Sequence, residues 1–200
     1  MPQFVLIITC VLNGYNDHMS DYFTGAGDDG YTGLLGEGRL PKYHSRMEAV
    51  GGVDEASAAL GVARAACQQT QTREILLTVQ RDLYHLMAEI SATPENAAHF
   101  RVIDAGRVTW LENQAEFIGA QVKMPNEFIL PGDSPAGAAL DLARTIVRRA
   151  ERWNAQLLHN REIENPEILR YLNRLSSLCF VLELFENQAV GKDTPTLAKE

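Results

Sequence analysis

The chain is poor in the residues that most often announce a chemistry. Cysteine occurs only three times in 200 residues, as Cys10, Cys67 and Cys179. The three lie far apart and make no C-x-x-C pair, which excludes a disulfide scaffold and a zinc knuckle and leaves buried thiols in a reducing compartment. The five histidines, His18, His44, His85, His99 and His159, form no H-x-x-x-H or E-x-x-H pattern, so zincins and di-iron bundles are excluded as well. Positive charge is scarce: 18 Lys and Arg stand against 26 Asp and Glu, a net charge of −8. Nucleic acid demands clustered positive charge to release counterions, so it is not an expected partner. Long apolar runs are missing too. The longest, Phe4 to Leu12, falls far below the ~20 residues of a bilayer span, and it lacks the basic lead and small-x-small site of an export signal. No membrane association is expected, and the cytoplasm is the default compartment.

What is present is a globular composition, 46% hydrophobic and 22% charged, in a chain long enough to bury its own core. Residues 1–21 read as an appendage: a short strand, a packing arm, or a tail ahead of the true domain. Next comes TGAGDDGYTGLLGEG, with Gly25, Gly27, Gly30, Gly33, Gly36 and Gly38 in one loop, a glycine density that predicts no regular element. Beyond it the apolar residues recur at helical spacing. Helices are expected over about 46–67 (Val53, Leu60), 72–92 (Leu76, Val79, Leu83, Leu86, Ile90) and 104–122 (Val108, Leu111, Ala115, Ile118). Two more are expected over about 134–159 (Leu140, Ala143, Val147, Ala150) and from Pro166 onward (Leu169, Leu172, Leu175, Leu178, Leu182). The polar TPENAAH reads as a break between the second and third. Ser134 is an expected N-cap with Pro135 at the first helical position. Five amphipathic helices without β–α alternation or repeats define an all-α bundle over residues 22–190, followed by a polar tail, 191–200, expected to fray.

Three constellations could carry chemistry. In the loop, Gly25-Ala26-Gly27-Asp28-Asp29-Gly30 is formally G-x-G-x-x-G, but it neither follows a strand directly nor opens a helix, so the dinucleotide-fold reading fails. A run of glycines can still turn backbone N–H groups onto an anion, with Thr24 and Thr32 as hydroxyl donors and Lys42 and Arg46 as the charge; it can equally be a plain surface loop. The second is ARTIVRRAER, residues 143–152. Arg144, Arg148 and Glu151 share a helical face, with Arg149 and Arg152 beside it, either as a surface for phosphate oxygens or as a solvated face of weak pairs. The third is Asn173 in the last helix, next to core Leu172, where it serves a neighbour's backbone or a ligand. Phe128, in EFILPGD, is a core plug or an exposed aromatic against a flat ligand. Asp54, among Val53, Ala56 and Ala58, needs a cationic partner, for which Arg144 is a candidate. No protein nucleophile with its base is visible, so any hard chemistry belongs to a cofactor or substrate that the protein positions.

Taken in order, TGAGDDGYTGLLGEGR, Lys42-x-x-x-Arg46, GGVDEASAALG, TWLE, FILPGDSPAGAALDLARTIVRRAER and YLNRLSSLCF resemble the PduO-type ATP:corrinoid adenosyltransferases over about residues 22–186. The resemblance implies a ferritin-like five-helix bundle that assembles as a homotrimer, with sites between subunits. It implies transfer of the 5′-deoxyadenosyl group of ATP, with Mg²⁺, to the cobalt of reduced cobalamin, releasing triphosphate. A corrinoid reductase or a cobalamin-dependent enzyme would be a partner. By the same resemblance Thr24, Gly27, Asp28, Thr32 and Lys42 wrap ATP, and Arg148, Arg149, Glu151, Arg152 and Asn173 complete that site. Phe128 closes the lower corrin face and displaces the axial ligand, while Asp54 pairs with Arg144 across the subunit interface. The pattern also departs from the family. Gly25 stands for a basic residue, Ala26 for Thr or Asn, Tyr31 for a small residue, Asp141 for His, Leu184 for Arg, and Ser177 for Asp. The altered loop supports a second reading, a relative that binds or hands on a corrinoid without efficient transfer.

Overall fold

The computed structural model describes residues 23–199; the appendage 1–21, with Cys10 and His18, lies outside the described residues. A two-stranded antiparallel pair, β1 (Tyr31–Gly33) and β2 (Arg39–Pro41), comes first. Six helices follow: α1 (Ser45–Ala66), α2 (Thr70–Ser91), α3 (Pro94–Phe100), α4 (Ala105–Gly119), α5 (Pro135–His159) and α6 (Glu167–Ala189). Two expectations are thereby corrected. TPENAAH is not a plain break: Pro94 at its first position starts α3, a short exposed helix. The glycine loop does hold a regular element, because only Gly33 falls within the strands; the other five glycines lie outside them.

Helix starts follow local chemistry. Ser134 Oγ accepts from Gly137 N at 2.9 Å, as expected of an N-cap with Pro135 behind it. Asp104 caps α4 through Arg107 N at 2.8 Å, and His44 caps α1 through Arg46 N. The core is one continuous cluster drawn from all five long helices. Val53, Leu60, Leu76, Leu83, Val108, Leu140, Val147, Leu172 and Leu175 are fully buried within it, in agreement with the stripes read from the sequence. The α1–α5 and α5–α6 contacts are the most extensive. Gly52 makes the first of these close: a Cβ there would stand 3.4 Å from Ala150 Cα. Cys67 and Cys179 are buried free thiols, and burial pushes each up to about 12.

Several polar groups inside the bundle are paired across helices. Asp82 of α2 accepts from Tyr171 Oη of α6 at 2.7 Å and forms an ion pair with Arg107 of α4, whose guanidinium lies 4.9 Å over the Trp110 ring. Burial and the Asp82 charge hold the Tyr171 phenol well above its ordinary value. Arg46 corrects another expectation. It does not face the glycine loop; it is buried and donates to the carbonyls of Ile90 and Ala92 at the end of α2, and to Glu162 O. These are carbonyls that a helix end and a connecting loop leave without partners. Arg46→Met should therefore orphan three carbonyls and lower unfolding free energy by roughly 2–4 kcal/mol in urea titrations; a loss below about 1 kcal/mol would contradict this role.

Candidate active site

The glycine segment is a turn stacked on a hairpin. Asp28 N donates to Gly25 O and Gly30 N to Gly27 O, both at 3.1 Å, while Lys42 N reaches Gly30 O at 2.9 Å. Gly25 and Gly30 take φ of +68° and +82°, the region where side chains are disfavoured. Thr32 pairs with Leu40 within the hairpin, and Thr24 Oγ1 accepts from Ala26 N. The Lys42 ammonium lies across the turn: a Cβ at Gly27 would stand 2.8 Å from Lys42 Nζ. The loop therefore has a backbone turn and a cation on one spot, as a phosphate cradle requires. Sequence reading missed its organiser, Arg39. This guanidinium bonds both oxygens of Asp29 at 2.8 Å and donates to Ala26 O and Tyr31 O, with its charge 5.8 Å from the Tyr31 ring centre. Its signal is the register Gly33↔Arg39, which is invisible until the hairpin is known.

The hairpin docks on the end of α2, not on α5. Leu35 N donates to Ser91 O and Thr93 N to Leu35 O. Thr24, Gly27, Asp28, Thr32 and Lys42 make no hydrogen bond or ion pair with α5 or α6. The arginine face is a separate surface of the same chain. Arg148, Arg149 and Arg152 are exposed on α5; Arg149 is ion-paired with Glu55 of α1, and Arg152 donates to Arg148 O of its own helix. Among the described residues, Arg148 has no carboxylate within ion-pair distance. Glu151 accepts from Asn173 Nδ2 at 3.0 Å, tying α5 to α6, and Asn173 Oδ1 accepts from Arg174, which in turn pairs with Glu112 of α4. Asn173 is thus a half-buried member of a polar chain and not a core residue serving a backbone.

Phe128 settles on the exposed alternative: it is 87% exposed, the most exposed large apolar residue described. Asp54 is exposed on α1, and Arg144 pairs instead with Asp141 at 2.7 Å, so one chain does not bring Asp54 and Arg144 together. Behind Arg144 lies a group the sequence reading passed over. Glu183 of α6 is 1% exposed, and neither carboxyl oxygen has a hydrogen-bond partner. Burial first, and then the Asp141 and Asp133 charges, push it up to about 7 against the pull of Arg144. Among the described residues, no helix is long and apolar enough to cross a membrane, and no three His, Cys, Asp or Glu side chains converge as a metal site.

The described residues form a helical bundle with a glycine turn beside Lys42 at one edge and exposed arginines on α5. Comparison makes the class specific: the chain belongs to the cobalamin adenosyltransferase family, whose profile matches residues 22–186. It is 39% identical over 178 residues to a corrinoid adenosyltransferase of Mycobacterium tuberculosis, covering 85% of this chain and 90% of that one. It is 35% identical to the corrinoid adenosyltransferase of Bacillus subtilis, covering 84% and 88%. A variant PduO-type ATP:corrinoid adenosyltransferase from Lactobacillus reuteri, solved with cobalamin and ATP, superposes with a TM-score of 0.80. It is 30% identical, with 89% of this chain and 99% of that chain covered. A second variant of that enzyme, solved with ATP, gives 0.78 at 29% identity, covering 88% and 99%.

Glu183 predicts a pH dependence. Its folded value lies above the ordinary 4.5, so the folded state holds the proton more tightly. The stability this contributes is complete below about pH 4.5 and is lost as pH rises through about 7. Glu183→Gln removes the titrating group. The melting temperature of the variant relative to the parent should climb between about pH 5 and pH 8, equivalent to on the order of 2 kcal/mol. A difference independent of pH would contradict a protonated Glu183.

Proposed function

We propose that this chain transfers the 5′-deoxyadenosyl group of ATP to the cobalt of a reduced corrinoid, cob(I)alamin, giving adenosylcobalamin and triphosphate. The observation that carries the reading is Phe128, an aromatic held almost wholly in solvent on the FILPGDS loop of a family member. An apolar ring in that position stabilises nothing in the isolated chain; against a flat macrocycle it excludes water from one face. In the transfer, the electron pair of Co(I) attacks C5′ of ATP, a Co–C bond forms, and the C5′–O bond breaks with its electrons passing to triphosphate. The protein needs no nucleophile, in keeping with the absence of one from the sequence motifs. Its task is to hold two substrates in line and to meet the charge that grows on the leaving group.

The residues fit that task. Backbone N–H groups of the Gly25–Gly30 turn and the Lys42 ammonium meet phosphate oxygens, and Thr24, Asp28 and Thr32 edge the same turn. Arg148 has its guanidinium free for the triphosphate, while Arg149, Arg152, Glu151 and Asn173 frame it. Mg²⁺ would arrive as the ATP complex, held by phosphate oxygens. Among the described residues no hydrogen bond or ion pair joins the cradle to the arginine face within one chain, which supports a homotrimer in which the loop of one subunit closes over α5 of the next. In such an assembly Asp54 pairs with Arg144 of a neighbour, which it does not meet in its own chain. The substituted loop favours a second reading, a corrinoid-binding relative of low activity. Arg39 does not replace the cation lost at Gly25, because its guanidinium is taken up by Asp29 and the carbonyls of Ala26 and Tyr31; Phe128 and the arginine face favour the first reading.

The test is anaerobic. Purified protein, chemically reduced cob(I)alamin and MgATP should lose the Co(I) absorbance and form adenosylcobalamin. Arg148→Ala should lower kcat by roughly 100-fold or more without changing the melting temperature. Light scattering should give a trimer; a monomer would overturn the shared site. No turnover from a folded trimer would leave the corrinoid-binding reading.

A further inference from the structure

The loop that carries Phe128 is held by residues 191–199, the segment expected to fray. Leu130 N donates to Thr196 O and Ala198 N donates to Phe128 O, each at 2.8 Å, with Ile129 opposite Leu197 in an antiparallel bridge. Asp133 then closes the contact with two bonds to one residue. Its carboxylate accepts from Thr196 N at 2.8 Å and from Thr196 Oγ1 at 2.7 Å. These bonds hold the Asp133 carboxyl below its ordinary value. On the far side, Ser134 Oγ donates to Asn187 Oδ1 at 2.6 Å, so the loop's exit is fixed to the end of α6.

The geometry points to a latch, Asp133 with Thr196, through which the C-terminal segment positions Phe128, an inference that rests on Phe128 meeting the corrin. A side chain so exposed has no packing to fix it, so its direction is set by the backbone alone. Extended backbone alternates its side chains between two faces. The burial here alternates in that way: Phe128 is 87% and Leu130 51% exposed, while Ile129 between them is half-buried. Pairing with the tail imposes the extended geometry on this stretch. If the tail lets go, no other backbone bond among the described residues holds Phe128 or Leu130 in that register, and a small rotation turns the ring away from the face it must cover. Asp133 and Thr196 are therefore positioning residues, acting on the reaction through Phe128.

The test compares the full-length parent with Asp133→Ala, Asp133→Asn, Thr196→Val and Phe128→Ala, all checked for unchanged thermal melting. Asn at 133 can still accept from Thr196 N and donate to Thr196 Oγ1, so it should behave as the parent. In Asp133→Ala, and to a lesser degree in Thr196→Val, amide exchange at Leu130 and Ala198 should quicken by roughly tenfold or more. With MgATP and Co(II) corrinoid, the electron paramagnetic signal of cobalt lacking axial ligands should shrink in step. The kcat should fall roughly tenfold with KM for ATP unchanged. Parent-like exchange in Asp133→Ala overturns the latch outright. Faster exchange with a parent-like cobalt signal and kcat overturns its role in positioning. Phe128→Ala separates the two levels. If it loses the signal while Asp133→Ala keeps it, only the latch fails; if it keeps the signal, the reading of Phe128 fails and the latch loses its purpose. Should the parent show no transfer at all, the exchange measurement still decides whether Asp133 holds the loop.

Discussion

The contact on which the architecture turns is the approach of α1 to α5. Gly52 faces Ala150 with no side chain between them, and Ala49, Val53, Ala56 and Ala63 line the same buried stripe of α1. Small residues let two helix backbones come close, and close backbones fix rotation about the axis as well as distance. Once Ala143, Val147 and Ala150 of α5 are turned inward, the 3.6-residue period forces Arg148, Arg149 and Arg152 outward. The arginine face is in that sense a by-product of how the core closes. The ion pair of Arg149 with Glu55 then spans the two helices at the surface, in a position where it adds orientation more than stability.

Electrostatics divides the molecule in a corresponding way. Two groups of cations stand out, Arg39 and Lys42 at the hairpin edge and Arg144, Arg148, Arg149 and Arg152 on α5. Within the hairpin, Arg39 neutralises Asp29 and leaves Lys42 turned toward the glycines. On α5, Arg144 is held by Asp141, while Arg148 has no ion pair among the described residues. The buried Glu183, within the field of Arg144, has no hydrogen bond of its own among the described residues. A buried carboxyl in that state is stable as the acid and costly as the anion. The chain thus carries a group sensitive to pH near neutrality within the electrostatic reach of one of its candidate site residues, Arg144.

Much of the fold was legible in order along the chain. The five long helices and their buried stripes follow from apolar spacing, and the start of α5 follows from Ser134 and Pro135, because helix periodicity and capping are local. The site was legible in part. Phe128, Arg148 and Lys42 could be singled out by residue type and motif, yet whether Phe128 was a core plug or an exposed ring depended on what surrounds the loop. Arg46 shows the limit from the other side: a cation four residues after Lys42 looks like a second phosphate ligand until the end of α2 and Glu162 are seen to surround it.

Sequence by itself determined the helical class and the apolar faces, and it picked out candidate site residues, since each depends on neighbours within a turn or two. Tertiary structure decided which charges are free. It buried Arg46, engaged Arg144 and Arg39, left Arg148 without an ion pair among the described residues, folded the tail back onto the Phe128 loop, and turned a glycine-rich stretch into a hairpin. All of these depend on residues distant in the chain, Thr196 beside Asp133 or Glu162 beside Arg46, and no local pattern encodes a meeting that only the packed bundle brings about.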